Sequence, residues 1–135
     1  MALQYSVTVR NAQLDAIETA VGTSAVLKIR TGSAPATCAT ADSGTVLATL
    51  SLPSDWMAAA SSGSKAKSGT WEDTSADATG TAAHWRLYAS DGTTCHAQGT
   101  VTATGGGGDM TVDNTSFASG QSFTVTAFTI TAGNA

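Results

Sequence analysis

The amino-acid sequence predicts a mainly β protein, an antiparallel β-sandwich or jelly-roll-like module of about seven short strands with one N-terminal helix. Three observations carry this. Short apolar and β-branched runs are separated by Gly, Pro, Asp and Ser turn signals, as in sandwiches and barrels. Only one stretch has helical periodicity. Charged residues make up 12% of the 135 residues, with Thr, Ser, Ala and Gly in their place. Such short side chains suit strands packed on strands or on other subunits. The length fits a single domain, 1–135, with an N-terminal arm and helix over 1–22 and the β-sandwich over 23–135. A chain of this size buries about two thirds of its unfolded surface, so its core needs no metal or dense disulfide net.

The helix is predicted from "VRNAQLDAIETAVG", where Leu14, Ile17 and Val21 share one face. Asn11 can cap its start, or Ser6 or Thr8 if it begins earlier. Asp15 and Glu18 would lie in the first half, where the macrodipole favours negative charge, and Gly22 ends it in a left-handed turn. "AVLKIRT" alternates Leu27 and Ile29 against Lys28 and Arg30 as a strand. A loop with Pro35 and the turn pair Ser43-Gly44 follows, then a second strand, "TVLATLSL", stopped by Pro53. "PSDWMAAASSG" suits one helical turn capped by Ser54 and anchored by Trp56 and Met57. "KAKSGTWEDTS" reads as an edge strand protected by Lys65 and Lys67. "AAHWRLYAS" sets Trp85, Leu87 and Ala89 against His84, Arg86 and Tyr88. Asp91-Gly92 then signals a hairpin to "TCHAQGTVTA", with Cys95, Ala97, Gly99 and Val101 on one face. "DMTVDN" is a brief strand. In "GQSFTVTAFTITA" the apolar phase slips at Thr126-Ala127, which predicts a β-bulge or a strand that changes sheets.

The run Gly105 to Gly108 is the most conspicuous candidate for chemistry. A phosphate loop needs Lys-Ser or Lys-Thr opening a helix after the glycines, whereas Asp109-Met110-Thr111 and a strand follow here. The dinucleotide fingerprint fails for the same reason. The run is therefore expected to be a flexible strand connector. His84 and His96 lie on the two strands of the central hairpin and, with Cys95 or Asp91, could suggest a nucleophile and base, but no nucleophile elbow surrounds them. Asp73 and Asp77 lack the ligand repeat of a calcium loop and suit turn caps. Trp56, Trp71 and Trp85 form either a carbohydrate platform or core. Cys38 and Cys95 match no zinc spacing and can pair or stand as thiols; closing that loop contributes on the order of 4 kcal/mol in the chain-entropy model. No catalytic, metal or cofactor site is expected, and the protein is not expected to be an enzyme.

The formal net charge is −4, with the six basic residues scattered, so no nucleic-acid stripe is expected. No apolar run approaches the ~20 residues of a membrane span. The opening "MALQYSVTVRNAQ" lacks the regions of a secretory signal.

The order of "RNAQLDAIETAVGTSAVLKIRTGSAPA", "SGTVLATLSLPSDW", "DTSADATGTAAHWRLYASDGTTCHAQGTV" and "FTVTAFTITAGNA" resembles a family of small proteins encoded in tailed-phage and prophage genomes. Their genes commonly lie among the virion structural genes. The resemblance runs over nearly the whole chain, and "TSADATGTA" and the closing "FTVTAFTITAGNA" are its most distinctive strings. It implies a virion component, made in the bacterial host cytoplasm, whose partners are copies of itself and other virion proteins. It supplies no catalytic residues to carry over. The tail or fibre apparatus is the expected location, as fibre subunit or fibre–tail adaptor. Capsid decoration is the alternative, and a carbohydrate-binding module using the three tryptophans comes from a different class. The arm "MALQYSVTV" with its helix is the expected docking element, and the tail "TAGNA" a surface extension or contact.

Overall fold

A helix precedes ten strands in the computed structural model, which describes residues 3–132. Met1, Ala2 and residues 133–135, the tip of the arm and most of the "TAGNA" tail, lie outside it. The helix α1 spans Val7–Val21. The strands are β1 (Val26–Arg30), β2 (Val46–Ser51), β3 (Ser64–Ala66), β4 (Glu72–Asp73), β5 (Gly80–Thr81), β6 (His84–Tyr88), β7 (Cys95–Ala103), β8 (Met110–Val112), β9 (Ser116–Phe117) and β10 (Phe123–Thr131). No helix among the described residues is long and apolar enough to cross a membrane.

The protein is mainly β with one helix, but the sheet is mixed rather than antiparallel. Eight strands form one curled sheet in the order β2-β1-β6-β7-β8-β10-β3, with β4 also paired to β10; β5 and β9 form a separate two-stranded ribbon. The curl brings the outer edge of β2 to the 72–77 segment. Asp73 Oδ2 accepts from the Thr49 amide at 3.0 Å, and the Asp77 amide donates to the Leu47 carbonyl at 2.7 Å. A carboxylate and one amide thus satisfy an edge that would otherwise be open to pairing.

The departure from antiparallel order lies between β7 and β8, which run parallel with Thr102 opposite Thr111. Parallel neighbours ordinarily need a crossover of about a dozen residues. Here residues 104–109 suffice, because the chain loops fully round and lies back along β7. Gly105 and Gly107 have φ of 87° and 81°, a region that disfavours side chains. A Cβ at Gly106 or Gly108 would stand 2.7 or 2.9 Å from Thr102. Two glycines supply the backbone conformation and two the close approach. The Gly108 amide donates to Thr102 Oγ1, and Asp109 and Thr100 close the base by exchanging hydrogen bonds at 3.0–3.1 Å.

The core fills the concave side. Leu27, Ile29, Leu47, Leu50, Trp85, Leu87, Val101, Met110, Val112 and Phe123 are all buried there. Trp56, Trp71, Phe128 and Trp85 form a chain of rings with centroids 6.0, 5.5 and 5.2 Å apart, within the range of favourable aromatic pairs. The predicted slip in the last strand is present: the register of β10 on β8 shifts between Val125 and Ala127. The extra residue restores Phe128 to the core face already occupied by Phe123 and Val125.

Three local expectations fail. The segment after Pro53 forms no helical turn; Met57 bridges to Lys67, and Trp56 Nε1 donates to the Gly22 carbonyl at 3.1 Å. Tertiary packing of the indole overrides a weak local helix preference. Of the three cap candidates Ser6 is the one used, its hydroxyl accepting from the Val9 amide at 3.3 Å, so the helix takes the earlier of the expected starts. Asp15 and Glu18 consequently sit in its second half. Gly22 ends it with a φ of 87° but an extended ψ of −175°, so the turn is not left-handed helical.

Candidate functional site

The helix is fastened to the sheet chiefly by polar groups. Only Leu14 and Val21 of α1 are buried. Arg10 Nε donates to the Ala132 carbonyl at 2.7 Å, and Asn11 Oδ1 accepts from the Gly63 amide at 2.9 Å. Asp15 Oδ1 accepts from the Ala60 amide, and Glu18 Oε1 from that of Met57. Lys65 of β3 points under the helix, 2.7 Å from Asp15 and 2.9 Å from Glu18, and also donates to the Ala58 carbonyl. Lys65 was expected to guard an edge strand from solvent; its side chain is instead 2% exposed, because α1 covers that edge. Burial alone would weaken the ammonium, but the two carboxylates outweigh it and hold its pKa above the ordinary lysine value. In turn, hydrogen bonds from Lys65 and the Ala60 amide hold Asp15 below the usual carboxylate range. Lys67 conforms better to the edge-strand expectation. Its Nζ donates to the Gly69 carbonyl while sitting 6.0 Å from the Trp71 ring centroid.

Much of the apolar surface of this N-terminal region is uncovered, including Ile17, which was expected to share the buried face of Leu14 and Val21. Leu3, Tyr5, Val7, Val9 and Ile17 are 38–71% exposed, and they are the exposed large hydrophobics of the described residues. All five belong to the arm or α1. An open groove of about 500 Å³, which none of the five lines, is bounded by Asp15, Glu18, Asp55, Met57 and Lys65 among others. Its single ammonium is already neutralised, leaving Asp55 as its remaining acid.

A second polar assembly lies on the convex face of β1, β6 and β7, beneath the loop 31–45. All five residues of β6 are buried: Trp85 and Leu87 in the core, and Arg86, Tyr88 and His84 under the loop. Asp42, at the end of that loop, is the hub. Its carboxylate bonds Arg86 Nη1, accepts from Tyr88 Oη at 2.8 Å, and pairs with Arg30 Nη2 at 2.8 Å. Arg86 Nη2 also donates to the carbonyls of Thr37, Cys38 and Thr40, each at 3.1 Å. Gln98 accepts from Arg86 Nε and donates to the Pro35 carbonyl. Burial works against the Asp42 charge, yet hydrogen bonds from Tyr88 and Arg86 and the two guanidinium charges prevail, so its pKa lies below the usual range. Burial and the bond to Asp42 push the Tyr88 phenol up.

The cysteines meet beside this cluster. Between Leu87 and Tyr88 the pairing of β7 on β6 shifts by one residue, so that Tyr88 faces Cys95 while Leu87 faces Ala97. The bulge removes Cys95 from the face shared by Ala97, Gly99 and Val101, where the sequence had put it, and turns it toward the loop. Cys38 and Cys95 form a disulfide with Cα atoms 5.3 Å apart.

The structure does not bring the two histidines together. His84 is buried opposite Thr100, four positions along β7 from His96, with Nδ1 2.6 Å from the Gly32 carbonyl. His96 is exposed and Cys95 is bonded. Asp73 accepts from the Ser75 amide in a turn, and Asp77 accepts from the Thr49 hydroxyl. Trp56, Trp71 and Trp85 are at most 4% exposed, which leaves no platform for a sugar ring. Among the described residues no three His, Cys, Asp or Glu side chains are grouped to hold a metal ion. Sequence reasoning missed Asp42, Arg86 and Lys65. Arg86 and Lys65 read as ordinary solvent-facing strand positions, and Asp42 as a loop residue.

No protein-family model matches this chain, and neither does any curated protein or solved structure.

Proposed function

We propose that this protein is a structural subunit of a tailed-phage virion, in the tail or fibre apparatus, working through contacts with copies of itself and with neighbouring virion proteins. The observation that carries this reading is the distribution of exposed apolar surface. Leu3, Tyr5, Val7, Val9 and Ile17 all lie on the arm and α1. Exposed apolar groups gathered on one element mark an interaction surface rather than random surface composition. Beyond buried Leu14 and Val21, the helix is held to its own module by side-chain hydrogen bonds and ion pairs, which leaves Val7, Val9 and Ile17 for a neighbour. The block-by-block resemblance of the sequence supplies the tailed-phage setting.

Mass spectrometry of purified virions tests the proposal. The expected result is the chain present at the low copy number of a tail component. A high copy number would move it to head decoration, and absence from virions would end the proposal.

A further inference from the structure

We propose that the loop 31–45 is folded by the Asp42–Arg86 clamp independently of its sulfur bond, and that the Cys38–Cys95 disulfide forms afterwards and locks the loop already in place. The contacts that hold the loop are numerous without the sulfur bond. At its base the Thr31 amide donates to the Thr45 carbonyl, and the Thr45 amide donates to Thr31 Oγ1. Along its length, carbonyls 32, 35, 37, 38, 40 and 44 are met by His84, Gln98, Arg86 and Arg30 side chains. Arg86 reaches the carbonyl of Cys38 itself, so the clamp fixes the backbone that carries the thiol. The bulge at His96 presents Cys95 from the other side. Both cysteines keep partial solvent access, so a small oxidant or reductant can reach them.

The chemistry is a two-step exchange with a low-molecular-weight disulfide such as oxidised glutathione. One cysteine thiolate attacks it and expels one glutathione thiolate; the second attacks the mixed disulfide and expels the other. Two thiol protons are lost, and the protein's two electrons reduce the glutathione disulfide. The chain can thus fold in a reducing compartment with the loop already seated, and become covalently closed on reaching an oxidising one.

Two measurements on the full chain test this. Hydrogen exchange of the loop amides, Thr31, Thr40 and Thr45 in particular, is compared in the oxidised protein, the reduced protein and the Cys38→Ser/Cys95→Ser variant. All three should show rates within a few-fold of one another. Loop exchange at unfolded-chain rates in the reduced or serine forms, with the core still protected, overturns the proposal. Equilibration in glutathione buffers then gives the effective concentration of the two thiols. Loss of one charge-assisted bond at the clamp should lower it by about tenfold or more in Asp42→Asn. Gln98→Ala, which removes the Pro35 contact and the acceptor of Arg86 Nε but leaves Arg86 paired with Asp42, should lower it less and serves if Asp42→Asn fails to fold. An unchanged effective concentration in every variant that folds means that the clamp does not order the loop, and overturns it equally.

Discussion

The four glycines at 105–108 are not interchangeable with one another, and substitutions separate their roles. Gly106→Ala and Gly108→Ala press a methyl into Thr102 and should each cost about 1–3 kcal/mol, the range for overpacking. Gly105→Ala and Gly107→Ala meet nothing within 4 Å but hold positive φ, so about 1–2 kcal/mol is expected from backbone strain alone. A Thr102→Ala background removes Cγ2, the nearest atom to a Cβ at Gly108, but keeps Cβ, the nearest to one at Gly106; it should relieve Gly108→Ala in part and Gly106→Ala less, and leave the second pair unchanged, measured by denaturant titration. Asp42 makes a different kind of residue-scale prediction. Asp42→Asn leaves Arg30 and Arg86 buried without a counter-charge. Breaking a fully buried pair costs about 3–5 kcal/mol; because the Asp42 side chain keeps 37% exposure, about 2 kcal/mol is expected after solvent screening. The sign of its pH dependence follows from the depressed pKa. The stabilisation is complete above the unfolded carboxylate pKa of about 4 and is lost as pH falls through the lower folded value. Acid titration of stability should therefore be steeper in the parent than in Asp42→Asn.

Docking of α1 is the element-scale event, and it depends on ionisation at both ends of the pH range. Asp15 is depressed, so its contribution disappears as pH falls below about 4. Lys65 is raised, so its contribution is present below the unfolded lysine pKa of about 10.4 and disappears only as pH rises through the higher folded value. The protection factors of the α1 amides, with the pH dependence of intrinsic exchange divided out, should be greatest between these limits and fall at either extreme. Lys65→Met keeps the stem packed under the helix but removes the ammonium. It should speed exchange in α1 selectively while the β6 and β7 amides are unaffected. Unchanged α1 exchange would mean that Leu14 and Val21 alone hold the helix.

At the scale of the whole molecule, the polar docking of α1 and the exposure of Val7, Val9 and Ile17 have one consequence. Val7, Val9 and Ile17 of α1 are exposed and can be changed without touching the core. Val7→Ser/Val9→Ser/Ile17→Ser should leave the unfolding midpoint within about 0.5 kcal/mol of the parent, as surface substitutions do. The same variant should lose self-association in sedimentation velocity, or incorporation into particles. A variant that assembles normally would remove α1 from the proposed interface.

Local pattern alone determined the mainly β class, the N-terminal helix, the core parity of β1 and β6, and the bulge in β10. Each rests on a period of two or 3.6 residues that one sequence displays directly. It also indicated that Gly105 to Gly108 joins strands, since no lysine and no helix follow. Only the tertiary structure decided that those strands run parallel, because strand direction depends on whether the glycine loop reverses or encircles the chain. The same holds for Lys65, Arg86 and Asp42. Alternation says which way a side chain points from its own strand, but not whether a helix or a loop from elsewhere in the chain will cover it.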